Sequence, residues 1–168
     1  IPIPIPIPEP KFHTSCILLT TYNEPIRTDI YVKRIIWWME NSTFDIYIVD
    51  SYNVGFDDLI EKYKPTNRLF CYKFDQKKTI RSKRFHQTKY EILSLKEAYT
   101  YFKDTWSKYT LIVKITGKYV LPRLNELIDK ISFNTDILLQ CKHKIRWQNT
   151  EYVGFKFEKF MKIISSLD

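Results

Sequence analysis

The apolar run in LLTTYNEP, residues 18–25, ends in Thr21, Tyr22, Asn23 and Glu24, and the run in IYIVDSYNVG, residues 46–55, ends in Asp50, Ser51, Tyr52 and Asn53. Hydroxyl, amide and carboxylate groups at two successive strand ends supply both donors and acceptors. In open α/β sheets the ligand lies beyond the carboxyl ends of the strands, so the pair suggests one shared nucleotide pocket. Each group also has a plainer explanation. Asn23 and Pro25 suit a turn, and Asp50 suits a helix cap, although it comes several residues early for a helix near residue 56.

Cations gather in two further stretches. KKTIRSKRFHQTK, residues 77–89, places Arg81, Arg84 and Lys89 before or at a helix start. A solvated loop explains many such runs, but arginine forks and the N–H groups of a helix start also suit an anion. In TLIVKITGKYVLP, residues 110–122, Lys114 falls within an apolar strand, where an unpaired charge is costly. A structural ion pair would meet that cost, whereas the following Thr116, Gly117, Lys118 and Tyr119 favour a binding loop.

The elements that must position these groups follow from the hydrophobic period. Short apolar runs at 16–22, 45–50, 69–74, 109–115 and 136–141 predict strands. Helical patterns fall at 29–41, after a cap at Thr28 or Asp29, at 56–63, and at 87–103 with Ile92, Leu95, Tyr99 and Phe102 on one face. Two more fall at 122–132, with Leu124, Leu127, Ile128 and Ile131 aligned, and from about 156, with Phe157, Phe160, Met161 and Ile164 buried. Strand alternating with helix predicts a single α/β domain over residues 15–168, Rossmann-like, with a mostly parallel central sheet and helices on both faces. Residues 1–14 open with IPIPIPIPEP, which forbids a helix and reads as a proline-rich linker or extended segment joining this domain to others of a longer chain.

Composition narrows the partners. Lys and Arg exceed Asp and Glu by 27 to 19, a net charge of +8, so an anionic partner is expected. Aromatic residues make up 16% of the chain, enough for stacking surfaces as well as core. Cys16, Cys71 and Cys141 stand in apolar surroundings and read as reduced thiols, which predicts a cytoplasmic setting. No stretch approaches the roughly 20 apolar residues of a membrane span, so no stable membrane insertion is expected. The histidines form no metal or nucleophile group, and no phosphate-loop or dinucleotide fingerprint is present.

LLTTYNEP followed by IYIVDSYNVG resembles the start of the GT-A-fold glycosyltransferases, particularly the family-two-like enzymes. TLIVKITGKYVLP resembles the KxTGRY-type segment of a subset of polysaccharide and viral glycosyltransferases, and IRWQNTEYVGF, residues 145–155, is similar to the region that follows. The resemblance covers most of residues 15–160. It implies a GT-A-like domain that moves a sugar from a nucleoside-diphosphate sugar, most often a UDP-sugar, to a glycan hydroxyl. The implied nucleotide-binding residues are Thr21, Tyr22, Asn23, Glu24, Asp50, Ser51 and Asn53, with Asp50 accepting the base N–H.

The sequence departs from that pattern where many such enzymes carry Asp-x-Asp for a divalent Mn²⁺ or Mg²⁺. Lys114, Thr116, Gly117 and Lys118 stand there instead, so no metal ligand is assigned, and Arg81, Arg84, Lys89, Lys114 and Lys118 are the expected diphosphate partners. Gly117 would let backbone approach the phosphates. Transfer with inversion needs a carboxylate to take the acceptor proton, and Glu151 is the candidate base. Trp147 could stack on a sugar ring, with Gln148 and Asn149 bonding its hydroxyls. Two other readings stay open: a basic, aromatic-rich nucleic-acid-binding module, and a glycosyltransferase-like domain without activity.

Overall fold

The computed structural model describes residues 13–79, 87–140 and 151–166. Most of the proline-rich start lies outside them. Six strands form one sheet: β1 (Ser15–Thr21), β2 (Asp45–Asp50), β3 (Leu69–Lys73), β4 (Leu111–Thr116), β5 (Ile137–Leu139) and β6 (Tyr152–Lys156), in the order β3-β2-β1-β4-β6-β5. The first four strands run parallel, and β6 lies antiparallel to both β4 and β5. The helices are α1 (Thr28–Asn41), α2 (Asp57–Tyr63), α3 (Gln76–Thr79), α4 (Gln87–Trp106), α5 (Leu124–Ile128) and α6 (Phe160–Ser165), with 3₁₀ turns at Lys64–Thr66 and Phe157–Lys159.

Alternation along the strands feeds two cores. Ile17, Leu19, Ile46, Ile48, Val113 and Ile115 face α1, α2 and α5, where Tyr31, Ile35, Trp38, Leu59, Leu124 and Ile128 are buried. Cys16, Leu18, Tyr47, Val49 and Ile112 face α4 and α6, meeting Ile92, Leu95, Phe102, Trp106, Phe160 and Ile164. A strand buried on both faces must be apolar at every position, which is why these runs lack the polar alternation of a half-exposed sheet. Burial also pushes the Cys16 thiol up, and the Cys71 thiol up to about 12, so neither is a reactive thiolate at neutral pH.

The expected strands and helices are present in outline, but the short α3 was not expected, and the closing helix begins at Phe160 after a 3₁₀ turn, with Phe157 and Met161 only half-buried. Residues 152–156 form a strand where none was expected, because YVGFK is short and holds a glycine. That glycine is fitted to the sheet: a Cβ on Gly154 would stand 3.0 Å from the Leu138 Cβ of β5. The helix expected over 122–132 keeps its apolar face but closes after Ile128. Lys130 and Ile131 then bond back three residues, to Leu127 and Ile128, in a tightening turn. At α1 the Thr28 hydroxyl does not cap the helix; it donates to the Asn23 side-chain oxygen at 2.8 Å and ties helix to loop.

Gly117 follows β4 and donates its N–H to the Thr20 carbonyl at 2.9 Å. A Cβ there would lie 2.6 Å from Thr21 Cγ2 and 3.2 Å from the Tyr31 ring. The space before Gly117 is therefore filled by the protein's own side chains rather than open to a phosphate. Gly117→Ala is expected to cost about 1–3 kcal/mol in urea unfolding, as other overpacked sites do, while Lys118→Ala, on the exposed side of the same turn, is expected to leave the midpoint unchanged.

Candidate functional site

The chain lays β1, β2 and β3 side by side in one direction, then returns across the sheet through α4 to place β4 on the opposite flank of β1. The strand order reverses between β1 and β4, and a crevice at a reversal of strand order, beyond the carboxyl ends, is where open α/β sheets hold their ligands. A cleft of about 220 Å³ occupies that position. Thr20, Thr21 and Tyr22 of β1 and its loop, Ser51 after β2 and Thr116 of β4 line it. Arg27 and Tyr31 reach it from the α1 side, Gln76 from α3, and Tyr90, Glu91 and Ser94 from α4. The lining is rich in hydroxyls, and the volume is below the roughly 300–1,000 Å³ that encloses a whole drug-sized ligand. Part of a ligand fits inside and the rest must extend over the rim.

Asp50 organises one wall. It is fully buried, and its Oδ1 accepts from the Asn23 N–H at 2.8 Å, the Thr21 hydroxyl at 3.2 Å and the Tyr52 N–H at 3.4 Å. Its Oδ2 accepts from the N–H groups of Val54 at 3.0 Å and Gly55 at 2.9 Å. Both oxygens are thus engaged by the chain, and the carboxylate braces the loops after β1 and β2 instead of facing the cleft. It is not a helix cap, since the N-cap of α2 is Phe56. Asn23 is likewise turned inward: its N–H₂ donates to the Gly55 carbonyl at 2.8 Å. Asn53 is an exposed turn residue with φ 66°, a conformation that asparagine tolerates. Glu24 pairs with Arg27 at 2.7 Å. Of the expected nucleotide-binding residues, Thr21, Tyr22 and Ser51 line the cleft, and Asp50 and Asn23 support them from behind.

The floor toward α4 is ionic. Lys114 is 1% exposed, and its ammonium meets the Glu91 carboxylate and the Thr116 hydroxyl, the latter at 3.2 Å. Glu91 also accepts from the Thr20 hydroxyl at 3.0 Å, and its side chain keeps 30% exposure into the cleft. The ion pair answers the cost of a lysine inside an apolar strand, so Lys114 holds Glu91 and does not stand open to a diphosphate. Sequence reasoning missed Glu91 as a cleft residue because its partner lies on another element 23 positions away.

At the mouth, the Tyr22 and Tyr52 rings meet edge to face at 4.9 Å and 75°. The Lys77 ammonium lies 5.7 Å from the Tyr52 ring centre, and the nearby Tyr22 hydroxyl raises its titration above the ordinary lysine value. Arg27 and Lys77 are therefore cations at the cleft that were not singled out by sequence; Lys77 belonged to the basic run, and Arg27 carried no pattern. Lys89 is exposed on the first turn of α4, and the Lys118 ammonium lies over the Tyr119 ring at 5.0 Å. Arg81, Arg84, Trp147, Gln148 and Asn149 lie outside the described residues. Glu151 sits beside the end of β4: its carbonyl accepts the Thr116 N–H at 2.7 Å, and its carboxylate accepts from the Gln140 amide at 3.4 Å.

No protein-family model matches the chain, and no curated protein matches it. Among the described residues no three His, Cys, Asp or Glu side chains come together as a metal site requires. Among the same residues no helix is long and apolar enough to cross a membrane.

Asp50→Asn replaces a charged acceptor by an amide whose N–H₂ must face other donors, and a loss of about 3 kcal/mol in equilibrium unfolding is expected. Glu91→Gln removes the carboxylate that neutralises a buried ammonium, and a loss on the order of 3 kcal/mol is expected. The double variant Lys114→Met with Glu91→Gln is expected to recover part of that loss, as a double-mutant cycle would read.

Proposed function

We propose that this chain is a GT-A-like glycosyltransferase domain that binds a nucleoside-diphosphate sugar, a UDP-sugar in the first instance, and passes the sugar to a glycan hydroxyl. The observation that supports this most is the position of the hydroxyl-lined cleft, at the reversal of strand order, with paired tyrosines and cations at its mouth. A nucleobase would rest against Tyr22 and Tyr52. Ribose and sugar hydroxyls would meet Thr20, Thr21, Ser51, Thr116 and the Glu91 carboxylate. The diphosphate would meet Arg27 and Lys77 at the rim, joined by Lys89, Lys118 and the basic run with Arg81 and Arg84.

In the reaction, the acceptor oxygen bonds to the anomeric carbon as the bond from that carbon to the diphosphate oxygen breaks. The acceptor proton passes to Glu151, and the bonding electrons leave on the diphosphate, where cations stabilise them. Trp147, Gln148 and Asn149 are assigned to the acceptor. Asp50, with both oxygens engaged, and Lys114, paired with Glu91, act as positioning residues in this scheme. Among the described residues lining the cleft, Glu91 is the single carboxylate and is paired with a lysine, fewer ligands than Mn²⁺ or Mg²⁺ usually takes. The unreactive thiols suit a reducing, cytoplasmic setting.

Calorimetric titration with UDP, GDP and UDP-sugars, each with and without Mn²⁺, tests the reading, with a mixed-sequence single-stranded oligonucleotide as control. Nucleotide binding that survives chelation is expected. Salt-sensitive oligonucleotide binding without nucleotide binding would instead identify a nucleic-acid module, and nucleotide binding without transfer an inactive transferase. Where transfer is observed, Glu151→Gln is expected to lower kcat by about 10²-fold or more with donor affinity unchanged; equal losses in both would remove Glu151 from the role of base.

A further inference from the structure

Outside the cleft, at the β3 edge of the sheet, three aromatic rings form a column. Phe74 is buried in the core, and Tyr72 lies against it with ring centres 6.2 Å apart and planes 14° from parallel. Tyr101 of α4 stacks on Tyr72 at 4.3 Å and 21°, and Phe102 meets Tyr101 edge-on at 4.9 Å. Tyr101 is nevertheless 60% exposed. The ring is therefore held by Tyr72 and Phe102 and still leaves more than half of the residue's surface to solvent.

One helical turn before Tyr101, the Glu97 carboxylate accepts the Tyr72 hydroxyl at 3.0 Å. Together with burial, this contact raises the Tyr72 hydroxyl above its ordinary titration range, so it remains a donor fixed on Glu97. A carboxylate has about four acceptor positions, and the half-buried Glu97 retains capacity for a ligand hydroxyl.

We propose that Tyr101, with Tyr72 and Glu97, is a stacking platform for a neutral glycan chain. A sugar ring with equatorial substituents presents a patch of C–H groups on each face, which packs against the electron-rich face of an aromatic ring. Its hydroxyls, directed outward around the ring, require acceptors at the platform's edge, and Glu97 stands there. A single-stranded nucleic acid could also stack on Tyr101, but Glu97 places negative charge where its phosphates would pass.

The platform connects to the cleft along the backbone. Tyr72 precedes the cleft residue Gln76 by four positions, on the order of 13 Å of extended chain. Phe74 and Gln76 bond to the carbonyls of Asp50 and Ser51 along the way, at 2.9 and 3.1 Å. Along α4, Tyr101 follows the cleft residue Glu91 by ten positions, about 15 Å of helix, a distance that a glycan of a few sugar units spans. Its use as an acceptor subsite rests on the transferase reading; its binding of glycan does not.

The test is titration of the full chain with cellohexaose and with chitohexaose, in parallel with UDP and an oligothymidine strand, for native protein, Tyr101→Ala and Tyr101→Phe. The native protein is expected to bind at least one hexaose in the millimolar range, Tyr101→Ala to bind it at least about tenfold more weakly, and Tyr101→Phe to retain it. UDP affinity is expected to be the same in all three. Failure of native protein to bind either hexaose, equal binding by Tyr101→Ala, or loss of oligothymidine binding in Tyr101→Ala in place of glycan binding overturns the platform. Glycan binding without UDP binding leaves the platform standing and removes the transferase reading.

Discussion

The site depends first on the Asp50 carboxylate. Five donors, one from the last residue of β1 and four from the loops after β1 and β2, converge on its two oxygens inside a fully buried volume. Each loop leaves its strand with backbone N–H groups that the sheet no longer satisfies, and burying them unpaired would cost more than the loops could supply. A single negative charge resolves the accounting for both loops and fixes their mutual position. Tyr22, Tyr52 and Ser51 come to the cleft because the residues between them are held on Asp50. Charge-assisted hydrogen bonds are shorter and stronger than neutral ones, so the arrangement is rigid as well as satisfied.

A second buried charge sets the chemistry of the floor. Lys114 occupies a strand position that the pattern of the sheet assigns to an apolar residue, and Glu91 crosses from α4 to neutralise it. Taken together the pair has no net charge, yet the two partners are unequally exposed: the ammonium is enclosed and the carboxylate reaches the cleft. What a ligand meets there is an acceptor flanked by hydroxyls, which suits the hydroxyl groups of a sugar or ribose better than a phosphate. The cations at the rim, Arg27 and Lys77, lie where charge is accessible. The cleft is thus divided into an acceptor-rich floor and a basic mouth, a division that net charge alone does not reveal.

How much of this could be read from the chain alone differs between fold and site. The strands β1, β2 and β4 were legible because burial on both faces demands nearly continuous apolar residues, and the half-buried edge strand β3 showed as a short apolar and aromatic run. Strand β6 was not, since Gly154 lowers its local propensity, and only the neighbouring Leu138 explains the glycine. The strand-end residues were legible as a group, yet their division of labour was not. Nothing in TYNE or DSYN tells which oxygen faces a ligand and which faces the chain, because that depends on how neighbouring strand ends align, as Thr21 does with Asp50. Lys114 carried a true signal, an unexpected charge in an apolar run. The identity of its partner required α4 to be placed over β4, and that partner encloses the Lys114 ammonium that sequence offered to a phosphate.

The two ends of the sheet show why the site lies at one of them. At the amino end, Asp45 accepts from the Tyr109 hydroxyl and pairs with Lys108 at 3.3 Å, and Tyr47 lies 3.2 Å from Tyr109. Burial raises the titration of both phenols, that of Tyr47 to about 12, so they remain protonated, and this polar group closes on itself between β2 and the start of β4. At the carboxyl end the buried charges are equally well paired but each pair has an outer side. Asp50 supports loops that stand over the cleft, and Glu91 opens into it. At the carboxyl end the cleft lies between the strand ends of β1 and β4 and the start of α4, whereas at the amino end Thr110 bonds directly to the Thr14 carbonyl at 2.8 Å and ties the starts of β1 and β4 together. The polar group around Asp45 directs its bonds to its own members, while the Glu91 carboxylate, exposed in the cleft, can serve a ligand too.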